Sequence, residues 1–223
     1  MKVAVRLRNI FFICMGLSIS ACTHLHSDLL PNNFTNHTVT STQNNKPKIQ
    51  VIVTRGLIYY THSAIRVQTP KQTLFWDPSG SYASDEHEEY FKENPLPSVF
   101  VRKKDLITLG APDLETYWLF AKYTDDTGME VFEWDLTDKS AMHYQSILLA
   151  GANEADNKYE FDSQDTFLLC SSALTRFLDR FITQAPLGET FFFPDSLAHK
   201  LYTLNPSRII LFEKGGPIQV YQR

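Results

Sequence analysis

The sequence predicts an α+β domain rather than an alternating parallel sheet. Three observations support this fold class: an early β-hairpin, several helical segments after it, and two further strands near the C-terminus. Hydrophobic residues make up 43% and aromatic residues 13% of the 223 positions, which is typical of a globular domain. The formal net charge of -4 leaves no basic surface for nucleic acid, so we expect no nucleic-acid partner.

Each element follows from a local pattern. Alternating apolar and polar residues predict a half-buried strand over residues 49–54, and a turn at 68–72 joins two strand-like runs into a hairpin. Helix-start signals and apolar spacing then predict the remaining elements. Helices are expected after Asp105, after Asp113, after Asp138, over residues 166–182 and over residues 194–202, and strands over residues 129–134, 209–212 and 218–221.

The first 22 residues have the order of a secretory signal peptide. Three cations, Lys2, Arg6 and Arg8, precede an apolar stretch at residues 10–19, and small residues follow it. The segment ends in Ile-Ser-Ala-Cys, which resembles the lipobox of bacterial lipoproteins. This resemblance implies a signal peptide over residues 1–21 and a lipid on Cys22. The alternative is a plain signal peptide with an incidental cysteine.

The lipoprotein resemblance also implies a location. Because Thr rather than Asp follows Cys22, it implies sorting to the outer membrane of a Gram-negative cell, with the protein facing the periplasm. Residues 22–48 are rich in Asn, Ser and Thr and predict a lipidated cysteine followed by a flexible tether. The folded domain is then expected over residues 49–223, a length that suits one domain with its own core.

Cysteine usage carries the most chemical information. Cys14 would leave with the signal peptide and Cys22 would carry lipid, so Cys170 would be the sole thiol of the mature protein and could form no internal disulfide. One interpretation of Cys170 is a small buried hydrophobic residue, the usual fate of a free cysteine. The other is a nucleophile, because apolar residues at offsets of four, seven, eight and eleven place it in the first turn of an amphipathic helix. Unpaired N–H groups and the helix dipole stabilise a thiolate there.

A nucleophilic cysteine needs a base within hydrogen-bond reach, and His62 is the best candidate. Of the seven histidines, it is the one that lies inside a clear strand pattern. The others lie in the tether, in an acidic stretch or on polar helix faces. No histidines and carboxylates have the spacing of a zinc site, so we expect neither a metal nor another cofactor.

These motifs together resemble the circularly permuted NlpC-type branch of the papain-like superfamily, which includes lecithin retinol acyltransferase-like and permuted amidase-like proteins. The matching motifs are Thr-His-Ser-Ala-Ile at residues 61–65 with its hairpin partner, Cys-Ser-Ser at 170–172 at the start of an apolar helix, and Phe-Pro-Asp-Ser-Leu at 193–197. The resemblance implies a circularly permuted papain-like fold, in which an antiparallel sheet packs against the Cys-bearing helix. Residues 81–157 would then be a helical insert.

The resemblance also implies roles for individual residues. Cys170 would be the nucleophile, His62 its base, and Asp77 on the following strand the group that orients the imidazole. Asp77 also begins an Asp-Pro-Ser-Gly sequence that is equally an ordinary turn. Tyr60 lies two residues before His62, hence on the same strand face, and could line the substrate site or donate to an oxyanion.

The activity implied by the resemblance is covalent acyl transfer. The protein would be a hydrolase if the acyl acceptor is water and an acyltransferase if the acceptor is an amine or alcohol. The expected substrate is the amide of a peptidoglycan stem peptide or a lipid acyl group, and the sequence does not choose between them. The alternative is a non-catalytic lipoprotein that serves as a binding or scaffolding module of the cell envelope.

Overall fold

One antiparallel sheet organises the part of the chain that the computed structural model describes, which comprises residues 29–30, 32–42, 44–56, 60–78, 98–102, 105–110, 113–121, 127–153, 170–182, 187–191 and 193–223. The nine strands described are β1 (Thr35–Val39), β2 (Lys48–Arg55), β3 (Tyr60–Gln68), β4 (Thr73–Asp77), β5 (Ser98–Arg102), β6 (Asp105–Leu109), β7 (Gly128–Asp135), β8 (Arg208–Glu213) and β9 (Ile218–Gln222). Their order across the sheet is β1-β9-β8-β7-β2-β3-β4-β6-β5. The four helices described are α1 (Leu114–Ala121), α2 (Asp138–Asn153), α3 (Cys170–Phe181) and α4 (Pro194–Thr203). The predicted α+β class is confirmed.

Helices cover both faces of the sheet. Phe75 and Trp76 are neighbours on β4, so their side chains point to opposite faces. Phe75 meets Tyr117 of α1 with ring centroids 4.9 Å apart, whereas Trp76 meets Phe177 of α3 edge-on at 5.8 Å. Helices α1 and α3 therefore pack on opposite sides of the sheet.

The first core strand is buried on both faces, not on one as the alternation in the sequence predicted. All residues of β2 before Arg55 are buried. The half-buried prediction is wrong because α1 packs on the face that carries Gln50 and Thr54: Ile52, between them on that face, clusters with Leu114 and Tyr117 of the helix. Gln50 stays satisfied there, since its amide donates to Glu133 on β7 at 2.7 Å.

A buried polar network links β2, β7 and β8. Glu133 accepts hydrogen bonds from Gln50 and from Arg208 of β8, and its carboxylate lies 3.7 Å from the Lys48 ammonium. Burial lowers the pKa of Lys48 to about 8, although the charge of Glu133 opposes this shift. The Glu133 carboxylate favours one register of β2, β7 and β8, because shifting one strand along its neighbour would leave this buried charge without its partners.

The described part of residues 81–157, expected as a helical insert, contains helices α1 and α2 but also contributes the strands β5, β6 and β7 to the sheet. Strand β7 pairs with β2 on one side and β8 on the other, near the middle of the sheet. The helix predicted after Asp105 is wrong, because Asp105–Leu109 is β6 and pairs with β4 and β5. The β-branched Ile107 and Thr108 favour this strand, and both are buried against their neighbours. Residues 81–97 lie outside the described residues.

The sheet also begins earlier in the chain than the sequence predicted. Residues 35–39, placed in the flexible tether, form β1 and pair with β9 from Thr35↔Gln222 to Val39↔Ile218. An edge strand can be polar because it buries little surface, and the residues of β1 before Val39 are exposed. Further along the predicted tether, the Thr42 amide donates to the Glu115 carboxylate at 2.6 Å. The predicted signal peptide and Cys22 lie outside the described residues.

Most other predicted elements are present. The hairpin is confirmed, with β3 and β4 paired from Gln68↔Thr73 to Ile65↔Trp76. Helix α1 begins after Asp113, whose carboxylate accepts the Thr116 amide hydrogen at 2.8 Å and so caps the helix. The helices near residues 138 and 194 and the strands β7, β8 and β9 are also confirmed. In the described part of the chain, no helix combines the length and the apolar character that crossing a membrane requires.

Phe177 is expected to anchor α3 on the sheet. Its ring is fully buried and packs against Trp76. Phe177→Ala should lower the free energy of unfolding by about 3–5 kcal/mol, measured by urea denaturation, because it leaves a cavity under the helix. Arg176→Ala is the control: it removes the exposed neighbour in the same helix and should change that energy by less than about 0.5 kcal/mol. Equal losses for the two variants would contradict this packing.

Candidate active site

Cys170 is the first residue of helix α3, as the apolar spacing predicted. The helix packs against β3, and its apolar residues Leu174, Phe177 and Leu178 are fully buried. The thiol of Cys170 is free and only 8% of the residue is exposed. Burial holds the thiol in place, and its position at the helix N-terminus favours a negative charge there.

Cys170 contacts β3 at the point where the pairing between β3 and β4 ends. Pairing of β3 with β4 stops at Ile65↔Trp76, although β3 continues back to Tyr60. Within the described residues, the stretch of β3 that carries His62 and Ser63 therefore has β2 on one side and no ladder partner on the other. The Cys170 sulfur interacts with both residues at this opening, including the backbone of Ser63.

Asp77 is brought to His62 by the same hairpin. Asp77 follows Trp76, so it lies diagonally across from His62 at the open end of the ladder. Nε2 of His62 and Oδ1 of Asp77 form a hydrogen bond, which is also an ion pair when the imidazole is protonated. The Asp77 side chain is fully buried, and that of His62 is 15% exposed. Asp77 thus ends a strand, as the turn interpretation required, and contacts the imidazole as well.

The three groups shift each other's ionisation in a consistent direction. Burial disfavours the imidazolium, but the Asp77 carboxylate and the Cys170 thiolate outweigh it and raise the pKa of His62 well above its usual value. Burial likewise disfavours the thiolate, but His62, followed by Ser63, outweighs it and lowers the pKa of Cys170 to about 7. A thiolate–imidazolium pair is therefore favoured near neutral pH.

Cys170, His62 and Asp77 form a chain of contacts that suits proton transfer. Cysteine, histidine and aspartate are all metal ligands. Among the described residues, however, no group of three or more such side chains is placed to hold one metal ion. The contacts instead run in sequence, with His62 between the carboxylate and the thiol. Such a chain can move a proton between the sulfur and a bound reactant.

Tyr60, the predicted substrate-binding residue, is described through its backbone. It is the first residue of β3, directly before a register shift in which Arg55 pairs with Tyr60 and Thr54 with His62. Such a shift marks a β-bulge or another irregularity of the ladder. The Tyr60 side chain lies outside the described part of the chain, so its role stays a prediction.

Ser63 is the residue that sequence reasoning missed. It is buried, and both its hydroxyl and its backbone N–H lie by the Cys170 sulfur. Ser171 also lies close, with its hydroxyl oxygen 3.9 Å from that sulfur. A small polar residue at a core-facing strand position beside His62 is the signal that could have indicated Ser63.

Comparisons with protein-family models, with curated proteins and with solved structures found no match to this chain. The fold and the site alone therefore define its class. It is an α+β protein in which Cys170 at a helix N-terminus meets a His62–Asp77 pair at the open end of a β-hairpin. The resemblance to permuted papain-like proteins stays a prediction.

Removing the imidazole should raise the pH at which Cys170 becomes reactive. With iodoacetamide, the parent should alkylate with a midpoint near pH 7. His62→Ala or His62→Gln should move that midpoint to about 8.5 or above, because burial then acts without a compensating cation. The quantity to compare is the pH midpoint of alkylation and not the alkylation rate at a single pH. A thiolate with a higher pKa is intrinsically more nucleophilic, which partly offsets the smaller thiolate fraction in the variant.

Two variants control for effects other than the loss of the His62 imidazole. His62→Gln keeps an N–H that can donate to Asp77, so it avoids leaving the buried carboxylate without that partner. His199→Gln is the matched control, because His199 is exposed on α4 and should not affect the thiol. A Cys170 that titrates identically in the parent and in His62→Gln would show that the two groups are uncoupled.

Proposed function

We propose that this protein is a cysteine-dependent acyl-transfer enzyme of the bacterial cell envelope. Cys170 is the nucleophile, His62 the general acid and base, and Asp77 the group that orients His62. The observation that carries the proposal is the chain of contacts from Asp77 through His62 to Cys170, with the pKa of the thiol lowered and that of the imidazole raised.

The proposed reaction has two halves. In the first, the Cys170 thiolate attacks the carbonyl carbon of an amide or ester and forms a C–S bond and a tetrahedral oxyanion. The His62 imidazolium then gives its proton to the leaving nitrogen or oxygen as that bond breaks, which leaves a thioester on Cys170. In the second half, neutral His62 takes a proton from water or another acceptor, which attacks the thioester and restores the thiolate and the imidazolium.

Asp77 contributes by fixing the ring. Because it bonds to Nε2, Nδ1 is the ring nitrogen left to exchange a proton with the sulfur or the leaving group. A buried carboxylate also stabilises the imidazolium that exists whenever the sulfur is ionised. The backbone N–H of Cys170, at the start of α3, is the candidate donor to the oxyanion.

We extend the proposal to a circularly permuted papain-like fold. What supports it is the chain order, because the His62 strand precedes the Cys170 helix, and the packing of that helix on an antiparallel sheet. Strands β6 and β7 belong to the same sheet as the His62 strand. The core of the proposed fold therefore includes them in this protein, although the resemblance assigned their residues to an insert. The proposed substrate classes remain the amide of a peptidoglycan stem peptide and a lipid acyl ester.

Turnover should depend on the Cys170 thiol. We expect a soluble form that begins at Thr23 to cleave either peptidoglycan fragments or acyl esters, and to form a thioester adduct that mass spectrometry detects. Cys170→Ala should lower kcat/KM by at least about 10³-fold, since the nucleophile is lost. Arg176→Ala, an exposed change in the same helix, is the control and should retain activity.

The pH dependence of kcat/KM has a predicted sign. The rate should rise through a pH of about 7 as the thiol ionises, and fall only at higher pH, where His62 loses its proton. Absence of both turnover and adduct with both substrate classes would contradict the proposal and favour a binding or scaffolding module. Full activity of Cys170→Ala would contradict it as well.

The envelope location rests on Cys22 and has a separate test. In bacterial cells grown with labelled palmitate, the full chain should incorporate label and sediment with membranes, because acyl chains on Cys22 would partition into the bilayer. Cys22→Ala should lose both properties. Label that persists in Cys22→Ala, or a parent that takes up none, would contradict the lipid anchor.

A further inference from the structure

The side chain of Ser63 points toward helix α3. Ser63 and Ile65 lie two residues apart on β3, so they share a face, and Ile65 pairs with Trp76. Trp76 packs against Phe177 of α3, so this is the face that the helix covers. Only 1% of Ser63 is exposed. The hydroxyl is therefore enclosed between the strand and the helix that begins with Cys170.

This hydroxyl lacks a hydrogen-bond partner of normal geometry. Among the described residues, Ser63 Oγ is one of a few buried side-chain atoms in that state. It nevertheless lies by the Cys170 sulfur, close enough to stabilise a thiolate. A neutral thiol is a weak acceptor and gives such a donor little reason to align with it, whereas a thiolate is a strong acceptor. When Cys170 ionises, a small rotation of the Ser63 hydroxyl toward the sulfur would satisfy the buried donor.

We infer that Ser63 is a further residue of the active site, whose hydroxyl and backbone N–H both donate to the Cys170 thiolate and hold it ionised until it attacks. This inference rests on the proposed function. As the C–S bond forms, the charge moves from sulfur to the oxyanion, and the sulfur ceases to be a strong acceptor. Ser63 thus favours the ionised resting state at some cost in intrinsic nucleophilicity, since hydrogen bonds to a thiolate lower its basicity.

The test follows alkylation by iodoacetamide against pH in the soluble form that begins at Thr23. Ser63→Ala should raise the Cys170 midpoint by roughly 0.5 to 1 pH unit, the effect of about one hydrogen bond. It should also raise the limiting rate at high pH by about 1.5- to 3-fold, because the thiolate becomes more basic. A residue that only fills space would change the melting temperature and leave the midpoint in place.

Two variants serve as controls. Ser63→Thr keeps the hydroxyl and should retain the parent midpoint. Thr108, on β6, has another buried hydroxyl without a hydrogen-bond partner. Thr108→Val removes this hydroxyl, keeps the shape of the side chain and should also leave the Cys170 midpoint unchanged. Their agreement with the parent would show that the shift in Ser63→Ala comes from the hydroxyl beside the sulfur.

Thermal stability gives a second, independent readout. The lowered pKa of Cys170 contributes stability above the pKa of the unfolded thiol, and this contribution is lost as pH falls through about 7. Ser63→Ala should therefore melt at or above the parent's temperature near about pH 6, where it removes an unsatisfied hydroxyl, and below it near about pH 9. A difference in melting temperature that does not depend on pH would overturn the inference.

The outcomes separate this inference from the proposed function. If Ser63→Ala titrates like the parent while His62→Gln is shifted, Ser63 plays no part and the Cys170–His62 pair stands. If the parent itself titrates at about 8.5 or above, the thiolate pair is absent and both proposals fail.

Discussion

The buried carboxylate of Asp77 is the constraint on which the site depends. Its side chain is fully buried, and a charge in that position costs free energy unless groups nearby compensate for it. His62 compensates by being protonated, and a protonated His62 in turn favours a thiolate at Cys170. The Asp77 carboxylate therefore favours ionisation of the sulfur indirectly, through His62.

The fold supplies this arrangement from two parts of the chain. The β3–β4 hairpin brings His62 and Asp77 together locally, 15 residues apart in sequence. Helix α3 comes from much later in the chain and packs its buried apolar residues on the face that carries Trp76. The polar pair thus forms from local pairing, whereas the position of the thiol depends on the core. Any change that shifts α3 along the sheet would separate the sulfur from the imidazole.

Much of this could be predicted from sequence because the signals are local. Alternation and a turn define the hairpin, apolar spacing defines α3, and both patterns place His62 and Cys170 correctly on their elements. The remaining features depend on partners far away in sequence. A polar stretch becomes β1 because β9 offers it an edge, and residues 105–109 become β6 because β4 and β5 flank them. Ser63 could not be assigned to the site from sequence for the same reason, since its hydroxyl lies by the Cys170 sulfur only because α3 packs on β3.

The most direct test of the account is the ultraviolet absorbance of the Cys170 thiolate as a function of pH, in the parent and in Asp77→Asn, with Cys170→Ser as the blank. Asparagine keeps the shape of the side chain and removes the charge. We predict a parent midpoint near pH 7 and a clear rise in Asp77→Asn toward the value of about 8.5 for a free thiol. Equal midpoints in the two proteins would contradict the claim that the buried carboxylate controls the nucleophile.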